Sequence, residues 1–104
     1  MAGFADATKY GIEADSGELR GNMYHIACST WFTATGKAMP QYFKFEDDNG
    51  DIQMVRDILV KYTEDKNYSG IPRQEYGCEA VIGGLIREFK LIFYLEACKW
   101  VMLI

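Results

Sequence analysis

From Met23 to Ile104 the apolar residues recur with a period close to two, and this spacing constrains the fold more than any other feature of the chain. That period puts alternate side chains on opposite faces of an extended strand. In AMPQYFKFE, Phe43 and Phe45 share one face, while Tyr42, Lys44 and Glu46 share the other. Pro40 has no amide hydrogen, so it belongs at the start of this strand or on a sheet edge. YHIACSTWF, rich in β-branched and aromatic residues, reads as the preceding strand. EYGCEAVI places Tyr76, Cys78, Ala80 and Ile82 on one side. LIREFKLIFYL has an apolar face of Leu85, Phe89, Leu91, Phe93 and Leu95, broken by Arg87, and the connector EAC leads to a last strand, KWVMLI.

Turn formers separate these segments. Gly36 in ATGK supplies a positive φ, Asn49-Gly50 in DDNGD suits a type I′ hairpin turn, and Gly83-Gly84 makes a two-residue hairpin turn. IQMVRDILVKYTED fits two patterns. Ile52, Met54, Ile58, Val60 and Tyr62 fit a strand, whereas Ile52, Val55, Leu59 and Tyr62 fit one face of a helix. Its β-branched content and the turn before it favour a strand, bulged near Arg56-Asp57. About six strands joined mostly by short turns give an all-β fold, a small antiparallel meander curled into a partly closed SH3-like barrel or roll. Closure would pair the YHIACSTWF strand with a later one. The last strand has no tail to cover it, and on an edge it would pair with a second copy or a partner strand.

Residues 1–21 differ: they hold four Gly and scattered apolar residues, and read as a flexible N-terminal arm ahead of a single domain over 22–104. A short helix over Ala5 to Ile12 would end at Gly11. A chain of 104 residues fits one domain, able to bury roughly 60–65% of its unfolded surface without disulfides or metal. The net charge of −4 disfavours general nucleic-acid binding, and no run of Lys or Arg builds a basic patch. Cys28, Cys78 and Cys98 are odd in number and widely spaced, as expected of buried thiols in a reducing compartment. With neither a signal-like start nor an apolar run of about 20 residues, the expectation is a cytoplasmic chain without membrane contact.

Residues 23 to 104, through WFTATGKAMP, KFEDDNG, the SGIP segment, EYGCEAVI and EFKLIFYLEACKW, resemble a family of small all-β domains of unknown function from Gram-positive bacteria. The resemblance lies in strand and turn pattern. It implies a small β-rich fold and an accessory or mobile-element context, and it brings no catalytic residue.

Neither metal nor cofactor is expected. His25 and Cys28 are three apart, which on a regular strand puts them on opposite faces, and Cys78 and Cys98 are isolated. An EF-hand loop aligned on Gly50 would need an acid at 45 and Glu at 56, where the chain has Phe45 and Arg56. Glu46, Asp47, Asp48 and Asp51 then read as a solvated hairpin tip. No nucleophile, phosphate-binding or metalloprotease motif appears, so no catalytic residue is assigned.

The candidate binding residues lie in NYSGIPRQEY, read as a loop between strands. Ser69-Gly70 turns the backbone, Ile71 tucks under as an anchor and Pro72 stiffens the residues after it. Tyr68, Arg73 and Tyr76 then form a contact surface of the kind interfaces favour. The expected function is a small protein-interaction or accessory module without catalytic activity, meeting a protein partner or a second copy through a sheet edge or this loop. One alternative is single-stranded nucleic-acid binding on an aromatic barrel face through Tyr42, Tyr94 or Trp31. Another is a small enzyme with a cleft joining His25 or a Cys to a carboxylate.

Overall fold

The computed structural model describes residues 21–104, and the arm expected over residues 1–21 lies, apart from Gly21, outside the described residues. Seven strands succeed one another: β1 (Met23–Phe32), β2 (Ala38–Glu46), β3 (Ile52–Val55), β4 (Leu59–Tyr68), β5 (Ile71–Ile82), β6 (Leu85–Tyr94) and β7 (Lys99–Leu103). They form a single antiparallel sheet in the order β3-β2-β1-β7-β6-β5-β4. Consecutive strands pair throughout except at β3 and β4, and β1 pairs β7 instead. The sheet is thus made of two up-and-down wings joined at its middle through the first and last strands, and it curls into an open barrel.

The seventh strand comes from the ambiguous segment, which is extended rather than helical. Six antiparallel steps separate β3 from β4, so the two run in the same direction. Only residues 56–58 join them, with Asp57 in the left-handed region at φ 55°. They are two halves of one long strand, kinked at the position expected to bulge. The first half pairs β2 and the second pairs β5. The register shift itself lies further on, between Val60 and Tyr62. β7 is central, between β1 and β6, so the last strand is not an edge. Among the described residues, the free edges belong to β3 and β4.

NYSGIPRQEY is not a loop. Tyr68 pairs Ile71, and only Ser69 and Gly70 lie between the strands, at φ 53° and 82°. Two successive positive φ values define the tight turn whose twist matches the strands it joins. Gly83-Gly84, at 62° and 84°, turns β5 into β6 in the expected way. The β2–β3 turn differs from a type I′ turn because Asn49 is not left-handed. Gly50 is, at φ 85°, and its N–H donates to the Asp47 carbonyl at 3.0 Å. Asp47 Oδ1 accepts the N–H groups of Asn49 and Asp51, both at 2.9 Å, so a side chain shapes the connection between β2 and β3.

Inside the curl, Phe43, Phe45, Val55, Tyr76, Cys78, Phe89, Leu91, Phe93, Trp100 and Met102 form the core. Phe43 and Phe89 meet edge to face with centroids 5.7 Å apart, although β2 and β6 are not neighbours in the sheet. The outer face is covered locally by side chains. Tyr62 lies over Gly77, its partner across β4 and β5, and a Cβ at Gly77 would fall 2.0 Å from the Tyr62 ring. Gly77→Ala is therefore expected to cost about 1–3 kcal/mol by displacing that ring. Urea denaturation of Gly77→Ala, Tyr62→Ala and the double variant measures this. The Gly77→Ala penalty should shrink in the Tyr62→Ala background, and simple additivity would show that the ring is not the obstacle.

Candidate functional site

The five residues expected to form one contact surface are divided between two faces. Strand alternation puts Arg73 and Glu75 on the outer face of β5, and Tyr76 on the inner face. Arg73 is 4% exposed and Glu75 fully buried. The Arg73 Nε–H donates to Glu75 Oε2 at 2.7 Å, and Lys90 Nζ approaches Glu75 Oε1 at 3.3 Å. Tyr68 sits beside this cluster, its ring centroid 4.9 Å from the Arg73 guanidinium carbon. Ile71 is half-exposed beside the turn and is no anchor, while Pro72 lies in the second pair from the turn, opposite Asn67. The structure joins Tyr68 to Arg73 and separates both from Tyr76, because an offset of three residues along a strand changes face.

Tyr76 serves the interior. Its hydroxyl donates to the Ala38 carbonyl on the far side of the curl and lies 2.9 Å from the Gln74 side-chain amide. A hydroxyl has one proton, so with that proton on Ala38 it does not also donate to Gln74 Oε1, and only an amide turned to present its nitrogen would pair with the phenol oxygen. The other chemistry-bearing residues do not converge. Cys28 and Cys78 face the core, but Cys98 is exposed rather than buried, because it falls in the turn before β7 at φ 55°, and His25 pairs across to Val101 on β7. Among the described residues, no group of three or more His, Cys, Asp or Glu is placed to hold a metal ion. The acidic hairpin tip is occupied by its own turn, and Tyr24 donates to Asp48 Oδ1 at 3.0 Å. Among the described residues, no helix is long and apolar enough to cross a membrane.

A different surface stands out. On the outer face of β1, β2 and β3, Trp31 is 71% exposed, Ile52 66%, Met39 45%, and Tyr42 and Met54 39% each. Trp31 pairs Met39 directly across β1 and β2, Met54 pairs Lys44, and Ile52 pairs Glu46. The Arg56 guanidinium carbon stands 5.1 Å from the Tyr42 ring centroid. Trp31 and Tyr42 are recognisable in the sequence as aromatic residues suited to a surface. Ile52 and Met54 are not, because alternation within IQMV points its apolar face to the core. The core face is instead that of Gln53 and Val55, which pair Phe45 and Phe43. The signal lies in the register of the neighbouring strand rather than in IQMV itself.

Burial pushes the Cys78 thiol up from 9.0 to about 12, and the Tyr76 phenol up from 10.0 to about 12. Both groups stay protonated in the folded chain at a pH where the unfolded chain releases the proton. Their contribution to stability is complete below about pH 9 and is lost as the pH rises towards 12. Urea midpoints measured between pH 8 and 11 should fall with pH, and Cys78→Ala should make that fall shallower. An unchanged slope in Cys78→Ala would show that the thiol does not contribute. No family model matches the chain, and no curated protein and no solved structure matches it.

Proposed function

We propose that this chain is a protein-interaction module without catalytic activity, and that its working surface is the outer face of β1–β2–β3 with the free edge of β3. The observation that carries this reading is the group of exposed large apolar side chains on that face: Trp31, Met39, Tyr42, Ile52 and Met54. Exposed apolar surface of this kind, carrying Trp, Tyr and Met, is what protein interfaces use. The two free edges differ in chemistry. β4 carries Lys61, Glu64, Asp65 and Lys66, and charges along an edge hinder strand addition. β3 is Ile-Gln-Met-Val, uncharged, so an extended partner segment adding there would run its own side chains beside Ile52 and Met54.

The strand and turn pattern supports kinship with the small all-β family from Gram-positive bacteria, and the free thiols suit a cytoplasmic setting. Trp31 and Tyr42 beside Lys44 and Arg56 favour one second reading, a stacking platform for single-stranded nucleic acid.

Peptides selected on the full chain from a random display library, together with a single-stranded oligonucleotide, decide between the two. A selected peptide should protect β3 amides from hydrogen exchange, and Trp31→Ala and Met54→Asp should each weaken its binding by roughly tenfold or more. Peptides that protect only β4, or bind both variants unchanged, would exclude this surface. Oligonucleotide binding that weakens steeply with salt and is lost in Trp31→Ala would favour the second reading.

A further inference from the structure

Asn49-Gly50 carries chemistry that the fold both exposes and restrains. The side-chain amide of an asparagine is open to attack by the backbone nitrogen of the next residue, and a glycine there leaves that nitrogen unscreened. The chain has three asparagines, Asn22, Asn49 and Asn67. Asn22 precedes Met23 and Asn67 precedes Tyr68, and side chains of that size crowd the nitrogen. Asn67 also lies within β4, and Asn22 is tied to Ile104 by backbone hydrogen bonds at 2.9 and 3.0 Å. Only Asn49 precedes a glycine, and both residues are exposed at the tip between β2 and β3.

The turn opposes the reaction. Ring closure needs the Gly50 nitrogen to give up its proton and swing onto Asn49 Cγ. In the fold that N–H donates to the Asp47 carbonyl at 3.0 Å. Asp47 Oδ1 holds the amides of Asn49 and Asp51 at 2.9 Å each, which fixes the backbone on both sides of Gly50. Asp47 Oδ2 accepts from the Gln53 side chain at 2.8 Å, anchoring the carboxylate to β3. One residue thus occupies three successive amides of the tip.

We propose that Asn49 is a site of spontaneous backbone modification, that Asp47 sets its rate, and that the modification loosens β3. The Gly50 nitrogen forms a bond to Asn49 Cγ and its proton passes to solvent. The Cγ–Nδ2 bond breaks, and the side-chain nitrogen takes up a solvent proton and leaves as ammonia. Water then opens the succinimide ring at either carbonyl. One product is aspartate, which adds a negative charge beside Asp47, Asp48 and Asp51. The other is isoaspartate, whose main chain runs through Cγ and is longer by that carbon. The longer chain cannot keep both Gly50 and Asp51 on Asp47, and Ile52, next along, begins β3 opposite Glu46. Among the described residues β3 pairs only with β2, over four residues, and has little else to hold it. None of this requires a partner at β3.

The test ages the full chain at neutral pH and maps deamidation and isoaspartate by peptide mass spectrometry. Asn49 should convert ahead of Asn22 and Asn67. In the folded chain it should convert at least roughly tenfold more slowly than in the chain unfolded by urea, because the reaction waits for the tip to open. Asp47→Ala should remove most of that protection. Asp48→Ala, which removes a carboxylate bonded to Tyr24 rather than to the turn, should leave it in place. Conversion led by Asn22 or Asn67, equal rates in folded and unfolded chain, or equal acceleration by both variants would overturn the proposal. A second measurement needs no substitution. In the isoaspartate form purified from aged protein, β3 amides should exchange hydrogen roughly tenfold faster than in the unmodified chain, while β5 and β6 keep their protection. Unchanged β3 exchange, or loss of protection throughout the sheet, would show that the modification does not act on β3.

Discussion

The hydrogen bond from the Tyr76 hydroxyl to the Ala38 carbonyl ties together two strands, β2 and β5, that the sheet holds apart. β3 accompanies β2 only from Phe43 to Glu46, so the first half of β2 has β1 on one side and no strand on the other. A backbone carbonyl left there without a partner, inside the curl, would cost about 1–3 kcal/mol. Tyr76 removes that cost and fixes how far the sheet bends. Its ring then packs at a tilt, 5.4 Å from Trp100, whose indole N–H donates to Thr30 Oγ1 at 2.9 Å. β1, β2, β5 and β7 are thus coupled through one phenol and one indole. Lys37 Nζ, 3.1 Å from Thr63 Oγ1, adds an exposed link between β2's approach and β4.

The outer face is held by another logic. Glu75 accepts from Arg73 on its own strand and faces Lys90 from β6, with no exposure of its side chain. A buried carboxylate is expensive unless cations and hydrogen bonds surround it, and the net gain from such a cluster is small compared with the loss when one member is removed. The cluster therefore acts chiefly on register. A slip of β5 by one residue would turn Glu75 into the aromatic core and Tyr76 out of it. Both faces of β5 resist the same slip, the inner one through a phenol and the outer one through an ion cluster.

Much of this is legible in the sequence. Phe43, Phe45, Tyr76, Cys78, Phe89 and Leu91 declare their faces by alternation, and Gly83-Gly84 declares its turn. The features that stay hidden depend on partners distant in sequence. Ser69-Gly70 has the composition of a turn, yet whether Ile71 continues a strand or tucks beneath a loop is decided by pairing with Tyr68. Asp47, one acid among four at a solvated tip, proves to be the group that shapes the loop, since its carboxylate accepts two backbone N–H groups and the Gln53 amide. Arg73 looks like a surface cation because Arg is usually exposed, and its sequence neighbours do not show that the Glu75 carboxylate and the Tyr68 ring lie against it. The candidate surface is legible in part, through Trp31 and Tyr42. Its remaining members require the register between β2 and β3.

The kink at Asp57 links closure to exposure. β3 and β4 run in one direction and are joined by three residues, so the strand that ends the first wing also begins the second. The left-handed turn of the backbone at Asp57 ends β3 just after Val55, and from Leu59 the chain is already paired with β5. The β3 edge is four residues long. An added strand would gain few main-chain hydrogen bonds over that length. On the proposed reading, affinity on this wing would come mostly from side chains lying across Trp31, Met39 and Tyr42, with the edge setting direction and register. The same short edge limits pairing between copies. The sheet can therefore present an apolar wing to a partner without offering a long template for its own aggregation.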